Sequence, residues 1–137
     1  QVGEIYQTFC IPPEAVEMSF YWKYYSEEFK EFCGSSYQDT FEATIEGDIG
    51  YLELESLRVD DLCPTSECSG CGGSYVGLID SDVEFDVGDV WNTPWQKSTA
   101  YVTQLAGQGP VTLRFFCTDI GDSIYDTVVL VDTVKFE

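Results

Sequence analysis

The stretch TDIGDSIYD places three aspartates, Asp119, Asp122 and Asp126, within eight positions. A second acidic group, SEEFKEFCGSSYQD, holds Glu27, Glu28, Glu31 and Asp39. Carboxylates crowded together repel one another, and folding has to offset that repulsion. Two readings answer this. In one the loops are solvated, with Asp side chains closing their own turns. In the other they hold a cation. Calcium takes roughly six to eight oxygens from carboxylates, backbone carbonyls and water, and loops rich in Asp, Gly and Ser offer all three. Neither group follows EF-hand spacing, so spacing alone leaves both readings open. DSDVEFDVGD, with Asp80, Asp82, Asp86 and Asp89, is a lesser candidate, as is Asp132 near the end of the chain.

Six cysteines form the other reactive set: Cys10, Cys33, Cys63, Cys68, Cys71 and Cys117. An even count in a small acidic chain predicts three disulfides and an oxidising compartment, with about 15 full pairings open. Cys63, Cys68 and Cys71, in CPTSECSGCGG, read as a stapled loop. The C-x-x-C spacing of Cys68 and Cys71 also suits zinc, but a second knuckle is missing and the chain has no histidine. Without histidine, Ser-His and Cys-His nucleophile pairs are excluded. Glycoside hydrolysis needs two carboxylates roughly 5–10 Å apart across a cleft. Glu27 and Glu28 are adjacent, so on a strand they point to opposite faces, and no other partner stands out. The expectation is a protein that is not an enzyme.

Four aromatics suit a binding surface. Tyr21 and Tyr25 lie opposite the apolar face of their strand, and Trp91 and Trp95 flank NTP in a loop-like segment. Exposed Trp and Tyr stack on sugars or anchor protein partners; the alternative is packing under loops.

With 25 acidic against 6 basic residues in 137, the net charge is −19. Such a chain offers no basic patch for nucleic acid and no charge attraction to an anionic membrane. Hydrophobic residues at 44% set it apart from a disordered acidic tail. No apolar run approaches the roughly 20 residues of a membrane span, so no membrane insertion is expected. The chain opens at Gln1 without a signal peptide, as a mature secreted protein does.

The elements that must position these groups are strands. EMSFYWKYY sets Met18, Phe20, Trp22 and Tyr24 on one face. FEATIEG sets Phe41, Ala43 and Ile45 against Glu42, Thr44 and Glu46, and GYLELESLRV sets Leu52 and Leu54 against Glu53 and Glu55. PVTLRFFC aligns Val111, Leu113, Phe115 and Cys117. DTVVLVDTVKF is β-branched and apolar on both faces, which predicts a central strand. SEEFKEF predicts a helical turn or two, and STAYVTQLAG a strand running into a glycine turn. Turn signals such as IPPEA, CGSS, EGDIG and AGQGP separate these runs. The pattern predicts a single-domain, all-β, antiparallel β-sandwich of jelly-roll type over residues 1–137.

YYSEEFKEFCGSSYQDTFEATI and TDIGDSIYDTVVLVD resemble two successive motifs of bacterial surface modules, the choice-of-anchor L domains. The first runs Ser-Glu-Glu-aromatic, Glu-Phe, Gly-Ser, aromatic, polar, Asp, Phe. The second is Asp-x-Gly-Asp, a spacer, then Asp and a strand. Further stretches resemble jelly-roll carbohydrate-binding modules, which often hold a structural calcium. The resemblance implies a calcium site drawing on Glu27, Glu28 and Asp39 from the first motif and Asp119, Asp122 and Asp126 from the second. It implies a secreted, cell-surface adhesion or surface-assembly module whose partners are calcium and a cell-surface glycan or protein. A carbohydrate-binding module with structural calcium, and a filament subunit assembling with copies of itself through residues 1–6, remain open beside it. The cysteine loop from Cys63 to Cys71 lies outside both motifs.

Overall fold

The structure, a computed structural model, describes residues 2–27, 31–72, 79–85, 87–119 and 126–137. Its strands are β1 (Val2–Cys10), β2 (Glu17–Ser26), β3 (Thr40–Gly47), β4 (Gly50–Arg58), β5 (Ile79–Asp80), β6 (Trp91–Asn92), β7 (Gln96–Tyr101), β8 (Pro110–Thr118) and β9 (Thr127–Phe136), with one helical turn, α1 (Val59–Leu62), after β4. Every strand pairing is antiparallel. One sheet runs β1-β8-β3-β4. The other is built on β2, which pairs β9 along one edge and β7 and β6 along the other, with β5 beyond β6. The chain crosses between sheets after β1, β2, β4, β7 and β8, so the expected antiparallel sandwich forms.

Period-two alternation decides which faces meet. Met18, Phe20, Trp22 and Tyr24 on β2 are at most 1% exposed, as are Phe41, Ala43 and Ile45 on β3. Val111, Leu113 and Phe115 on β8 are buried with them. Aromatic pairs join the sheets: Phe20 and Phe115 have ring centroids 5.1 Å apart, and Trp22 and Phe41 5.5 Å apart. Trp22 Nε1 donates to Ser98 Oγ at 2.8 Å, and Ser98 Oγ donates to Glu55 Oε2 at 2.7 Å. The indole N–H thus ends on a carboxylate of the opposite sheet.

Two expectations fail for identifiable reasons. Glu55 does not share the outward face of Glu53. The β3–β4 register passes from Ala43–Glu55 to Thr44–Glu53, which leaves Leu54 as the extra residue of a bulge. The bulge reverses the face of every residue after it. Glu55 therefore lies opposite buried Ala43, and Leu57 opposite buried Phe41. The second failure is β9, expected to be central. Among the described residues it pairs only β2, so it is an edge strand of its sheet. Its inward Val129 and Val131 pack on the core, while outward Val128 and Leu130 are 42% and 44% exposed. Apolar residues on both faces are what a central strand shows, but they do not require one. β1 forms an edge of the other sheet, with Val2 to Cys10 registered against Thr118 to Pro110.

Replacing Trp22 with Ala is expected to cost about 3–5 kcal/mol of stability by urea unfolding. Ile5→Thr, on an edge strand at a side chain 62% exposed, should stay within about 0.5 kcal/mol.

Candidate functional site

Strand register carries the two acidic motifs to one end of the sandwich. Thr40 at the start of β3 lies opposite Thr118 at the end of β8, and Ser26 at the end of β2 lies opposite Thr127 at the start of β9. Glu27, Asp39, Asp119 and Asp126 each sit one residue beyond those positions. Glu28 and Asp122 lie outside the described residues, as does Asp86.

Direct bonds stitch the motifs together. Thr127 Oγ1 donates to Asp39 Oδ2 at 2.7 Å across 88 positions of sequence. Thr127 has one hydroxyl hydrogen, so at the 3.1 Å contact between Ser26 Oγ and Thr127 Oγ1 the serine is the donor. Glu27 binds backbone. Its Oε1 accepts the Asp126 N–H at 2.9 Å and its Oε2 the Val87 N–H at 3.0 Å, while its own N–H donates to the Asp126 carbonyl at 3.1 Å. Glu27 and Asp39 are 3% and 1% exposed, Asp119 is half-buried and Asp126 exposed. Burial is why these carboxylates take such donors. Val87 brings in the third acidic stretch, whose Asp80, Asp82, Glu84 and Asp89 line an open cleft of about 460 Å³.

Cys117, on the inward face of β8, reports on this end electrostatically. Burial first, then the Asp119 and Asp39 carboxylates, push its thiol up from 9.0 to about 11. Both motifs therefore act on one sulfur. Among the described residues, Glu27, Asp39, Asp119 and Asp126 do not bring three ligand atoms within 4.8 Å of one another; the set that does is Asp60, Cys68 and Cys71.

That set belongs to the cysteine loop. Cys33 is bonded to Cys63, and Cys68 to Cys71. With their sulfurs paired, Cys68 and Cys71 offer no thiolate for zinc. The expected third disulfide does not form: Cys10 and Cys117 are free. On the β1–β8 ladder Cys10 faces Pro110 and Cys117 faces Gly3. Seven residues of strand, roughly 23 Å, separate those positions, far beyond disulfide reach. In the chain-entropy account the Cys33–Cys63 bridge stabilises by about 4 kcal/mol and the short Cys68–Cys71 bridge by about 2 kcal/mol.

Asp60, which the sequence reading passed over, is the centre of this region. Its Oδ1 accepts from Gly34 N–H at 2.7 Å and Gln38 Nε2 at 3.1 Å, and its N–H donates to Gln38 Oε1 at 2.8 Å. Its carbonyl accepts from the Cys63 and Gly72 amides. Gly34 is fixed twice over: its φ is +79°, and a Cβ there would lie 2.9 Å from Cys68 Cβ. The motif's polar position, Gln38, is thus the link between the first acidic motif and the cysteine loop.

Of the four aromatics, Trp91 packs against the core and Trp95 is 47% exposed. Tyr21 and Tyr25 stand on the outer face of β2, with Lys97 Nζ 5.8 Å from the Tyr21 ring centroid and Lys23 Nζ 5.5 Å from that of Tyr25.

Glu27→Gln sets an amide NH₂ against one of two backbone N–H groups, and should cost about 1–3 kcal/mol in denaturant unfolding. For Cys117, folding raises the pKa, so its contribution is full below the usual 9.0 and is lost as pH rises through about 11. Stability measured between those pH values should fall more steeply for Cys10→Ser than for Cys10→Ser/Cys117→Ser. Comparisons with protein-family models, with curated proteins and with solved structures give no match to this chain.

Proposed function

We propose that this chain is a calcium-binding, non-enzymatic module of extracellular adhesion or surface assembly, of the choice-of-anchor L kind that its two motifs resemble. The observation that carries the reading is the direct bonding of those motifs, Thr127 to Asp39 and Asp126 to Glu27, at one acidic end. The donor set is hard: carboxylates and hydroxyls, with no histidine in the chain and a Cys117 thiol held protonated at neutral pH. Such a set fits calcium and does not fit a soft metal. Asp39, Asp119 and Asp126 are the residues that would hold the ion, with Glu27 keeping its two backbone donors and fixing the loops around it. Bound calcium offsets the mutual repulsion of these acids. The two disulfides fit the oxidising surroundings of a secreted protein. Among the described residues no helix is long and apolar enough to cross a membrane.

A carbohydrate-binding reading keeps the same calcium site and adds one surface. Tyr21 and Tyr25, each beside a lysine on the outer face of β2, form an aromatic strip suited to sugar stacking. Binding to a glycan panel that is lost in Tyr21→Ala would favour it over adhesion to a protein.

Thermal unfolding with EDTA, millimolar calcium or millimolar magnesium tests the ion. At a hundredfold excess over its dissociation constant calcium contributes about 2.7 kcal/mol, roughly 5–10 °C in Tm. The rise should be calcium-specific and vanish in Asp39→Asn and Asp119→Asn. An independent readout is the ionisation of Cys117, followed by thiolate absorbance in a Cys10→Ser background. Calcium beside Asp39 and Asp119 lowers its pKa, and magnesium does not. Absence of both effects would leave the acidic end a solvated one.

A further inference from the structure

The cysteine loop combines a cystine three residues apart, a buried carboxylate against one of its sulfurs, and a second cystine bracing both. Cys71 is 7% exposed, whereas Cys68 is half-buried between exposed Glu67 and Ser69. Cys71 Sγ lies 3.9 Å from Asp60 Oδ1. In the disulfide Cys71 has no hydrogen to donate, so this contact becomes a hydrogen bond only when Cys71 is a thiol. The carboxylate is held in place to receive it. Asp60 is 8% exposed, and its Oδ1 is bound by Gly34 and Gln38. The Cys33–Cys63 bridge anchors Gly34 on one side and the Cys63 amide, which donates to the Asp60 carbonyl, on the other.

We propose that Cys68–Cys71 is a thiol–disulfide exchange site, at which an external thiol enters at Cys68 and Asp60 carries the proton of Cys71. The thiolate RS⁻ attacks Cys68 Sγ. The R–S–Cys68 bond forms, the Cys68–Cys71 bond breaks, and the electron pair leaves on Cys71. A bare thiolate beside a buried carboxylate is disfavoured by both charge and desolvation, so Cys71 takes a proton that reaches it from solvent through Asp60. On return, Asp60 removes that proton, Cys71 attacks Cys68, and RS⁻ departs. If a second RS⁻ attacks the mixed disulfide instead, RSSR forms and the cysteine pair is left reduced by two electrons. Each cystine has one half-buried and one buried sulfur, so the difference lies in the proton carrier: among the described residues Cys63 Sγ meets the Val59 carbonyl and not a carboxylate, and Cys33–Cys63 opens more slowly. The short bridge closes a far smaller loop than Cys33–Cys63 and contributes less to stability, so of the two it is the one whose opening disturbs the sandwich less. This inference is independent of the cation reading.

The test uses the oxidised full chain with reduced glutathione as the thiol, alkylation to quench, and peptide mass spectrometry to read each cysteine. Cys68–Cys71 should open at least about tenfold faster than Cys33–Cys63, with glutathione on Cys68. In Cys71→Ser glutathione should exchange onto Cys68 from its oxidised form and persist there. In Asp60→Asn the amide oxygen still accepts from Gly34 and Gln38 but takes no proton. Release of glutathione from its mixed disulfide should slow at least about tenfold near neutral pH, and the deficit should close at alkaline pH. A packing role for Asp60 would leave the shape of that pH profile unchanged, and a purely repulsive one would make the variant faster. Equal opening of the two cystines, an adduct on Cys71, or unchanged or faster release in Asp60→Asn would overturn the proposal. Should Asp60→Asn fail to fold, the wild-type opening rates and adduct position decide it.

Discussion

A carboxylate withdrawn from water has to be given donors, and the acidic end of this sandwich is arranged around that requirement. Glu27 takes one N–H from the segment before β9 and one from the loop before β6, so three separate pieces of chain meet at one side chain. Asp39 takes the hydroxyl of Thr127, which in turn takes that of Ser26. The acids are thus not ornaments on loops that fold by themselves. They tie together the strand ends that also carry Asp119 and Asp126.

The same logic governs the cysteine region. Asp60 is buried, and the groups that satisfy it come from the turn after β2, from the segment before β3 and from the cysteine loop itself. Glu27, within the first acidic motif, and Asp60, outside it, are both buried, and each ties that motif to a different part of the chain. This gives Gln38 a purpose that charge alone does not suggest. Its amide reads both the Asp60 carboxylate and the Asp60 backbone, which a charged side chain of either sign would do less well.

Alternation in β2, β3 and β8 was enough to identify the core, because those strands bury one face and hydrogen-bond on both edges. It misled at β4, where one inserted residue reverses the pattern and turns Glu55 inward to Ser98. It misled again at β9, whose outward Val128 and Leu130 look like core in a string of letters. Meeting of the two acidic motifs was legible only through their resemblance to a paired pattern, since they are some ninety positions apart. Cysteine pairing was not legible at all. An even count says nothing about which sulfurs share an end of the sandwich, and Cys10 and Cys117 occupy opposite ends of one ladder. Asp60 was hidden for a related reason: its importance comes from partners at Gly34, Gln38 and Gly72, none of which flags a carboxylate in advance.

The position of β8 sets the order in which this molecule can be made. It lies between β1 and β3, yet it leaves the ribosome after both, and its pairing with β1 spans the chain from Val2 to Thr118. Until β8 arrives, β1 has no neighbour and the β3–β4 hairpin is open along one edge. Long-range pairings of this kind are slow to close and expose unpaired edges while they wait. The Cys33–Cys63 bridge, once made, keeps the hairpin between its two cysteines tethered during that interval. A nascent chain stalled before residue 110 is therefore a half-built sheet, and the acidic end comes into being only with the last two strands.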